Sequence, residues 1–294
     1  MKINSLIAKH PQETPMYLYG LDLHLSHQVL EKFHGIQYVL MQGSENRAHG
    51  LAKKIAQTIF NIDMSHFNII NLTPASAYAC YRVGNILSVS HGMGHASMMT
   101  VLHDLSKLMY FSNNTELEYI RIGTSGGIGI SPGTVIITDE SYMPDLNKGC
   151  KGYELGNEII YPTHMNAQLN QRILDAQPQD LPFEVLRGNS IAADDFYLSQ
   201  ARFDGAIKLT YDEEKRKTYF DKIKALSILN MEMESAAFAS FCHRAEIAAA
   251  MVAVTLVNRM LGDQILVSSE VLSEWSDRSQ QVIMYYLMKQ HHNS

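Results

Sequence analysis

Two glycine-containing segments of the chain each carry an arginine at a spacing that suits phosphate binding. Gly43 lies four residues before Arg47, and Arg121 lies just before Gly123 and Thr124. Glycine lets a backbone approach a ligand closely, and an arginine fork with backbone amides and a hydroxyl can hold phosphate oxygens. Neither segment matches the phosphate loop or the dinucleotide-binding glycine fingerprint. Each segment alone is equally compatible with a structural turn.

Two carboxylates stand near the start of a predicted helix. The segment reads Glu232, Met233, Glu234 and Ser235. Glutamate at a helix N-terminus often does no more than compensate the helix dipole. A carboxylate placed there can also accept hydrogen bonds from a vicinal diol, and a sugar site requires such a group.

A glutamine and an arginine two residues apart form a third group. Gln200 offers both a donor and an acceptor, and Arg202 offers a rigid fork of donors. Together they can bind an imide edge, which presents an acceptor, a donor and an acceptor. Taken singly, both residues are also common on protein surfaces.

Metal-dependent and nucleophilic chemistry have less support. His91 and His95 are four residues apart, but the glycines at 92 and 94 disfavour a helix that would place both on one face. The chain has no Gly-x-Ser-x-Gly nucleophile segment. Its three cysteines are too few and too scattered for a zinc site or a disulfide framework. We therefore expect no bound metal.

The elements that must position these residues alternate between short apolar runs and helical patterns. Strands are predicted over residues 36–41, 85–90, 119–122, 135–138, 183–186 and 247–256. Helices are predicted over residues 45–60, 96–110, 165–175, 212–225, 234–244 and 268–288. Residues 140–161 have no clear period and predict a long loop or an irregular β segment. The alternation indicates an α/β fold with a layered sheet.

Composition narrows the classes of function. The 294 residues are 46% hydrophobic and carry a net charge of −6, which disfavours a nucleic-acid-binding role. No apolar run approaches the ~20 residues that cross a bilayer, and no signal peptide is predicted. Few cysteines suit a reducing compartment. With no linker or repeat in the sequence, we expect one soluble, cytoplasmic domain over residues 1–294.

Several segments together resemble one family. Their order and spacing are similar to those of the nucleoside phosphorylase-I family, and specifically to its animal-type uridine phosphorylases, from about residue 17 to 288. The matching segments are VSHGMG at 89–94, RIGTSGGIG at 121–129, QARFDG at 200–205, EMES at 232–235, and NR at 258–259 with GDQ at 262–264.

The resemblance implies a three-layer α/β/α domain with a central mixed sheet, assembled as a homodimer or a larger homo-oligomer. It implies the reversible phosphorolysis of uridine to uracil and ribose 1-phosphate, a step of pyrimidine salvage. Inorganic phosphate would be the co-substrate, and no cofactor would be needed. A relative that binds nucleosides with little or no catalysis is the alternative.

The resemblance also assigns residues to each part of the substrate. Phosphate would be held by Gly43, Arg47, Arg121 and Thr124. Ribose would be held by Met233 and Glu234, with Glu232 beside them. Uracil would be bound by Phe196, Gln200, Arg202, Leu256, Val257 and Arg259. The residues expected to matter most for catalysis are Arg47, Arg121, Arg202 and Glu234.

Two positions depart from the family pattern. Members usually supply an arginine to the neighbouring subunit's phosphate, and Ala77 stands at the matching position. Members also supply a histidine toward the partner's ribose, and Gly20 stands there instead. Arg82, His24 or His27 could take over these roles. The losses put phosphate affinity in question more than uracil recognition.

Overall fold

The computed structural model describes residues 1–10 and 16–292. The chain divides into two compact units. One comprises Met1–Arg121 and Phe241–Ala249, and the other comprises Ile122–Ser240 and Ala250–Ser294. The predicted single domain over residues 1–294 extends over positions outside the described residues, and it stays a prediction.

The first unit contains four helices and the start of a long strand among its described elements. Its helices are α1 (Ser5–Ala8), α2 (His27–Glu31), α3 (Glu45–Thr58) and α4 (His95–Phe111). Its strands are β1 (Tyr17–Leu18), β2 (Leu23–His24), β3 (Tyr38–Gln42), β4 (Cys80–Val83), β5 (Ile86–Ser90) and residues 118–121 of β6 (Glu118–Gly127).

The main sheet of this unit has the strand order β6-β3-β5-β4. Strand β3 runs parallel to both β5 and β6, whereas β4 is antiparallel to β5. The carboxyl ends of parallel strands meet at one edge, which is where ligands bind in α/β sheets. The segments after β3 and β5 therefore lie together, level with Arg121, which is paired with Met41.

The second unit holds the remaining elements. Its strands besides β6 are β7 (Val135–Tyr142), β8 (Cys150–Glu154), β9 (Asn157–Tyr161), β10 (Val185–Ala192), β11 (Ile228–Glu232) and β12 (Ala248–Asn258). Its helices are α5 (Ala167–Asp175), α6 (Glu213–Ala225), α7 (Ser235–Arg244) and α8 (Ser269–His292). By residue number, α7 ends and β12 begins within the first unit.

Strands of the second unit pair in the order β11-β10-β7-β12-β6, and β11 also pairs with the end of β6. Strand β10 is parallel to β7 and β11, whereas β12 is antiparallel to β7. Because β11 pairs with both β10 and β6, these five strands form a closed arrangement, and each of them has a neighbour on both sides. The predicted mixed sheet with helices is confirmed.

The predicted element types agree with the structure, with several differences in extent. Strand β6 runs through the glycine cluster to Gly127 and does not end at residue 122. The irregular segment after residue 140 contains the antiparallel hairpin of β8 and β9. Strands β4 and β11 were not predicted, because each is short and β11 leads into a helix within three residues. None of the described helices is long and apolar enough to cross a bilayer.

Candidate active site

The predicted phosphate-binding residues of the first unit lie at the carboxyl edge of its sheet. Gly43 directly follows β3, and the backbone N–H of His91 donates to the carbonyl of Gln42 at 2.7 Å. A Cβ placed on Gly43 would lie 3.5 Å from the carbonyl oxygen of Gly92. The turns after β3 and β5 are thus in backbone contact.

Helix α3 carries Arg47 in its first turn. The Ser44 hydroxyl caps this helix by accepting from the Arg47 amide, and the Gln42 side chain donates to the Arg47 carbonyl at 3.0 Å. Arg121 is almost completely buried at the level of Met41. The first unit therefore brings together Gly43, Arg47 and Arg121, and a helix N-terminus adds its favourable field for an anion.

His91 lies within this cluster, a position that sequence reasoning considered only for a metal. The residue is 1% exposed. Burial lowers the pKa of His91 well below its usual range, and the positive charges of Arg121 and Arg47 lower that pKa further. The ring is therefore neutral at pH 7 and adds no further positive charge beside the two arginines. The signal that could have found this residue is its place directly after a buried strand.

The stability of the protein should depend on pH through His91. Because its folded pKa is depressed, the unfolded chain takes up a proton below about pH 6.5 and the folded chain does not. Stability is therefore full above that pH and falls below it, by up to about 1.4 kcal/mol per pH unit. Urea unfolding at pH 7.5 and 5.5 should show a smaller pH effect in His91→Asn than in the unaltered protein. Equal pH effects in both would contradict this, and exposed His27→Asn is the control.

In the second unit, the Glu232 carboxylate stabilises the acidic turn between β11 and α7 by hydrogen bonds to its backbone. Both Glu232 oxygens accept hydrogen bonds from the amides of Glu234 and Ser235, at 2.8 to 3.0 Å. Glu232 therefore caps helix α7, and its predicted place beside a ribose stays a prediction. Glu234 is buried and Met233 is half-buried next to it. Glu232 thus interacts with the helix N-terminus, and the binding of a ribose diol by Glu234 stays a prediction.

A tight turn presents Gln200 and Arg202. The Ala201 amide donates to the Leu198 carbonyl, and Ala201 has a φ of +52°. A non-glycine residue in the left-handed region costs on the order of 1 kcal/mol. Such strain is concentrated at functional sites, and here it sets the directions of the two polar neighbours of Ala201. Both neighbours are buried.

The Arg202 fork is already engaged within the second unit. Its Nε and Nη2 atoms donate to the Asp204 carboxylate at 2.8 and 2.6 Å, and Nη2 also donates to the Asp263 carbonyl. The hydrogen bond to Arg202 lowers the pKa of Asp204. Phe196 lies under the guanidinium at 4.5 Å, which is a cation–π contact. Among the described residues only Nη1 of Arg202 is left to donate to a base, so the sequence expectation of a whole fork is corrected.

Arg259 is completely buried and contacts Gln200 directly. Its Nη1 donates to Gln200 Oε1 at 3.1 Å, and its Nη2 donates to the Gln200 carbonyl at 2.7 Å. Gly126 makes room for it, because a Cβ there would lie 2.7 Å from Arg259 Cγ. The absence of a side chain at Gly126 therefore lets the Arg259 side chain pack against the backbone there. Leu256 and Val257, three and two residues earlier on β12, are half-buried.

The charges of this cluster leave a positive surplus. Arg202, Arg216 and Arg259 contribute three positive charges, and Asp204 and Asp263 contribute two negative ones. A net charge of +1 in a partly buried setting stabilises an anion that forms beside it. Sequence reasoning missed Asp204, Asp263 and Arg216.

Thr124, the remaining predicted phosphate ligand, is half-buried on β6.

Comparison with known proteins identifies the family. The sequence profile described as "Phosphorylase superfamily" matches residues 37–287. The chain belongs to this superfamily. It is 35% identical over 274 residues to uridine phosphorylase 1 of Mus musculus, covering 92% of this chain and 88% of that protein. It is also 29% identical to inactive uridine phosphorylase B of Schistosoma mansoni over 266 residues, covering 88% and 86%.

A solved structure of a superfamily member agrees with the fold. Uridine phosphorylase from Schistosoma mansoni in complex with uracil superposes with a TM-score of 0.89 at 29% identity, covering 98% of each chain. The nucleoside phosphorylase fold and the resemblance to uridine phosphorylases are thereby confirmed. The residue assignments that the resemblance implies remain predictions.

The two departures from the superfamily's pattern lie in adjoining segments of the first unit. The Ser76 hydroxyl donates to the Gly20 carbonyl at 2.7 Å, and the Gly20 amide donates to Asp104 at 2.6 Å. A Cβ on Gly20 would lie 2.9 Å from Tyr78 Cε2. Tyr78 therefore fills the space that a side chain at position 20 would need. Ala77, in contrast, is exposed.

The suggested substitutes for the missing groups have other partners. Arg82 donates to the carbonyls of Lys32 and Gly84, and its strand partner Leu87 lies at the amino end of β5. Within the first unit, Arg82 therefore lies away from the carboxyl edge that holds Gly43. His27 is exposed and pairs with Glu31. His24 packs against Tyr17.

Proposed function

We propose that this protein is a uridine phosphorylase, which converts uridine and phosphate to uracil and ribose 1-phosphate. One observation carries the proposal beyond family membership. In the second unit, Gln200 is held by Arg259 and stands two residues from Arg202, in a cluster with a net positive charge. This set of donors and acceptors fits an imide that leaves as an anion, and adenine, guanine and hypoxanthine lack that imide edge.

The reaction follows from the charges that develop as the glycosidic bond breaks. Positive charge builds on the sugar while negative charge builds on the base. Phosphate held by Arg47 and Arg121 attacks C1′, and its fixed position removes the entropic cost of bringing the two reactants together. Donors from Gln200 and Arg202 stabilise the departing uracil anion. Glu234 holds the ribose hydroxyls and orients the ring.

We also propose that this reaction needs no cofactor, with inorganic phosphate as the co-substrate. By the family resemblance, the enzyme acts as a homodimer or larger homo-oligomer. Its three cysteines are free and buried, which supports a reducing, cytoplasmic location.

The proposal is tested by incubating the purified protein with uridine, with and without phosphate, and measuring uracil by chromatography. We expect uracil release that requires phosphate. Release that is indifferent to phosphate would indicate a nucleoside hydrolase. No release at high protein concentration would favour the second candidate, a nucleoside-binding relative without catalysis.

That second candidate rests on Ala77 and Gly20. Both replace groups that the resemblance assigns to the neighbouring subunit's site, and a related protein is named as inactive. The lost arginine costs about 1.5–3 kcal/mol of phosphate binding, since it would have been a charged hydrogen-bonding partner. Such a loss weakens phosphorolysis and leaves base binding in place.

Restoring the arginine should raise phosphate affinity. Ala77 is exposed, so Ala77→Arg is accommodated without repacking, and we expect the KM for phosphate to fall about tenfold or more. Ala75→Arg adds the same charge at a neighbouring exposed position and is the matched control. An equal gain from both arginine variants would show that net charge alone is responsible.

Gly20→His, in contrast, should destabilise the fold, because its Cβ collides with Tyr78.

A further inference from the structure

Asp263 is the centre of the arginine cluster in the second unit. Its side chain is 7% exposed, and its Oδ1 accepts from Arg259 Nε at 2.9 Å and from Arg216 Nη2 at 2.6 Å. Its Oδ2 accepts from the Phe203 amide at 3.0 Å. Its carbonyl accepts from Arg202 Nη2 at 2.8 Å. One residue thus holds the two arginines that flank Gln200 in this site.

The contact from Arg259 determines which way the Gln200 amide faces. A guanidinium has only donors, so the atom that meets Arg259 Nη1 at 3.1 Å has to be the amide oxygen. The Gln200 Nε2 group makes no hydrogen bond within the described part of the chain. The amide therefore offers two N–H donors, with one lone pair remaining on Oε1.

This orientation discriminates between pyrimidines. Uracil presents a carbonyl oxygen to Nε2 and its N3–H to Oε1, so both contacts are favourable. Cytosine has an unprotonated N3, which would face the Oε1 lone pair and be repelled. A Gln200 amide that could flip would lose this difference, because its donor and acceptor would exchange places.

We propose that Asp263 is a positioning residue for base recognition, which fixes Arg259 so that Gln200 keeps its amide nitrogen available to a uracil carbonyl. The inference rests on the proposed function and deepens it. Asp263 touches no base itself and acts through Arg259 and Arg202. Asp263 is also the anion that balances Arg216, whose guanidinium packs over the Phe203 ring at 4.7 Å.

The test compares Asp263→Asn with the unaltered protein by calorimetric titration of uracil and of cytosine, at saturating phosphate. Asparagine has the same shape but no charge, so Arg259 should be held less firmly. We expect the Kd for uracil to rise at least tenfold and the Kd for cytosine to change less than threefold. Asp221→Asn, an exposed acid that pairs with Lys217 on α6, is the control and should change neither value.

An equal rise of both Kd values, or no change in either, would overturn the proposal. Should Asp263→Asn fail to fold by circular dichroism, Gln200→Glu tests the orientation of the Gln200 amide on which the proposal depends. A carboxylate beside Arg259 has no donor, so we expect uracil binding to weaken at least a hundredfold with no loss for cytosine; retained uracil binding would overturn the proposal. Phosphate-dependent turnover of uridine by the unaltered protein is measured separately, so failure of the proposed function is recognised independently.

Discussion

Replacement of Arg202 by alanine should lower kcat/KM for uridine by about 10²- to 10³-fold, the usual effect of removing one donor to a developing anion. The variant loses the Nη1 donor and also one of three positive charges in the cluster. We expect it to stay folded, because Asp204 is part-exposed and keeps its hydrogen bond from Gln264. Steady-state kinetics with uridine, alongside a thermal unfolding curve, measures both effects.

The matched control for this variant is Arg187→Ala. Arg187 also pairs with an aspartate of the second unit, with its Nη2 at 2.6 Å from Asp139, but it has no predicted contact with substrate. Its loss should leave kcat/KM within about twofold, since part-exposed ion pairs contribute little. Near-normal kcat/KM in Arg202→Ala would refute the assignment of the base site.

Replacement of Arg121 by methionine should raise the KM for phosphate by about ten- to over a hundredfold, and lower kcat as well. A charged hydrogen bond to phosphate is worth about 1.5–3 kcal/mol, and its worth increases as the sugar becomes cationic. Methionine fills much of the buried volume of the arginine stem. Uracil binding, measured by calorimetry, should be unchanged because it depends on residues of the second unit.

A second measurement separates this role from a loss of folding. Arg121 lowers the pKa of His91, so in Arg121→Met the pKa of that imidazole should rise, as followed by NMR titration. Arg82→Met is the control, because Arg82 donates to the carbonyls of Lys32 and Gly84 and pairs with the amino end of β5. Unchanged phosphate KM with an unchanged His91 titration would remove Arg121 from the phosphate site.

The parts of the site that sequence could predict are those carried by short local patterns. Glycine at the end of β3, with an arginine four residues on, is local, and the structure places Gly43 and Arg47 together at the carboxyl edge of the sheet. The tight turn that contains Gln200 and Arg202 is also local. Such patterns predict proximity because residues two to four positions apart are kept close by the backbone itself.

The parts that sequence could not predict depend on contacts between distant residues. Asp263 meets Arg202, Phe203 and Arg216 across about fifty to sixty positions of the chain, so no spacing reveals it. The hydrogen bonds from Arg202 to Asp204 are local, because the two residues are two positions apart. Which donors of Arg202 remain for the base also depends on the distant Asp263 carbonyl, which accepts from Nη2. The capping by Glu232 is a local contact, since its carboxylate accepts from amides two and three residues further along the chain.

The most direct test of phosphorolysis by this protein follows the oxygen atoms of phosphate through the reaction. Uridine is converted in the presence of phosphate labelled with ¹⁸O at every position, and the sugar product is examined by ³¹P NMR and mass spectrometry. Phosphorolysis predicts ribose 1-phosphate that retains all the label, because a phosphate oxygen forms the new bond to C1′. Free ribose carrying oxygen from water, or no product at all, would contradict it.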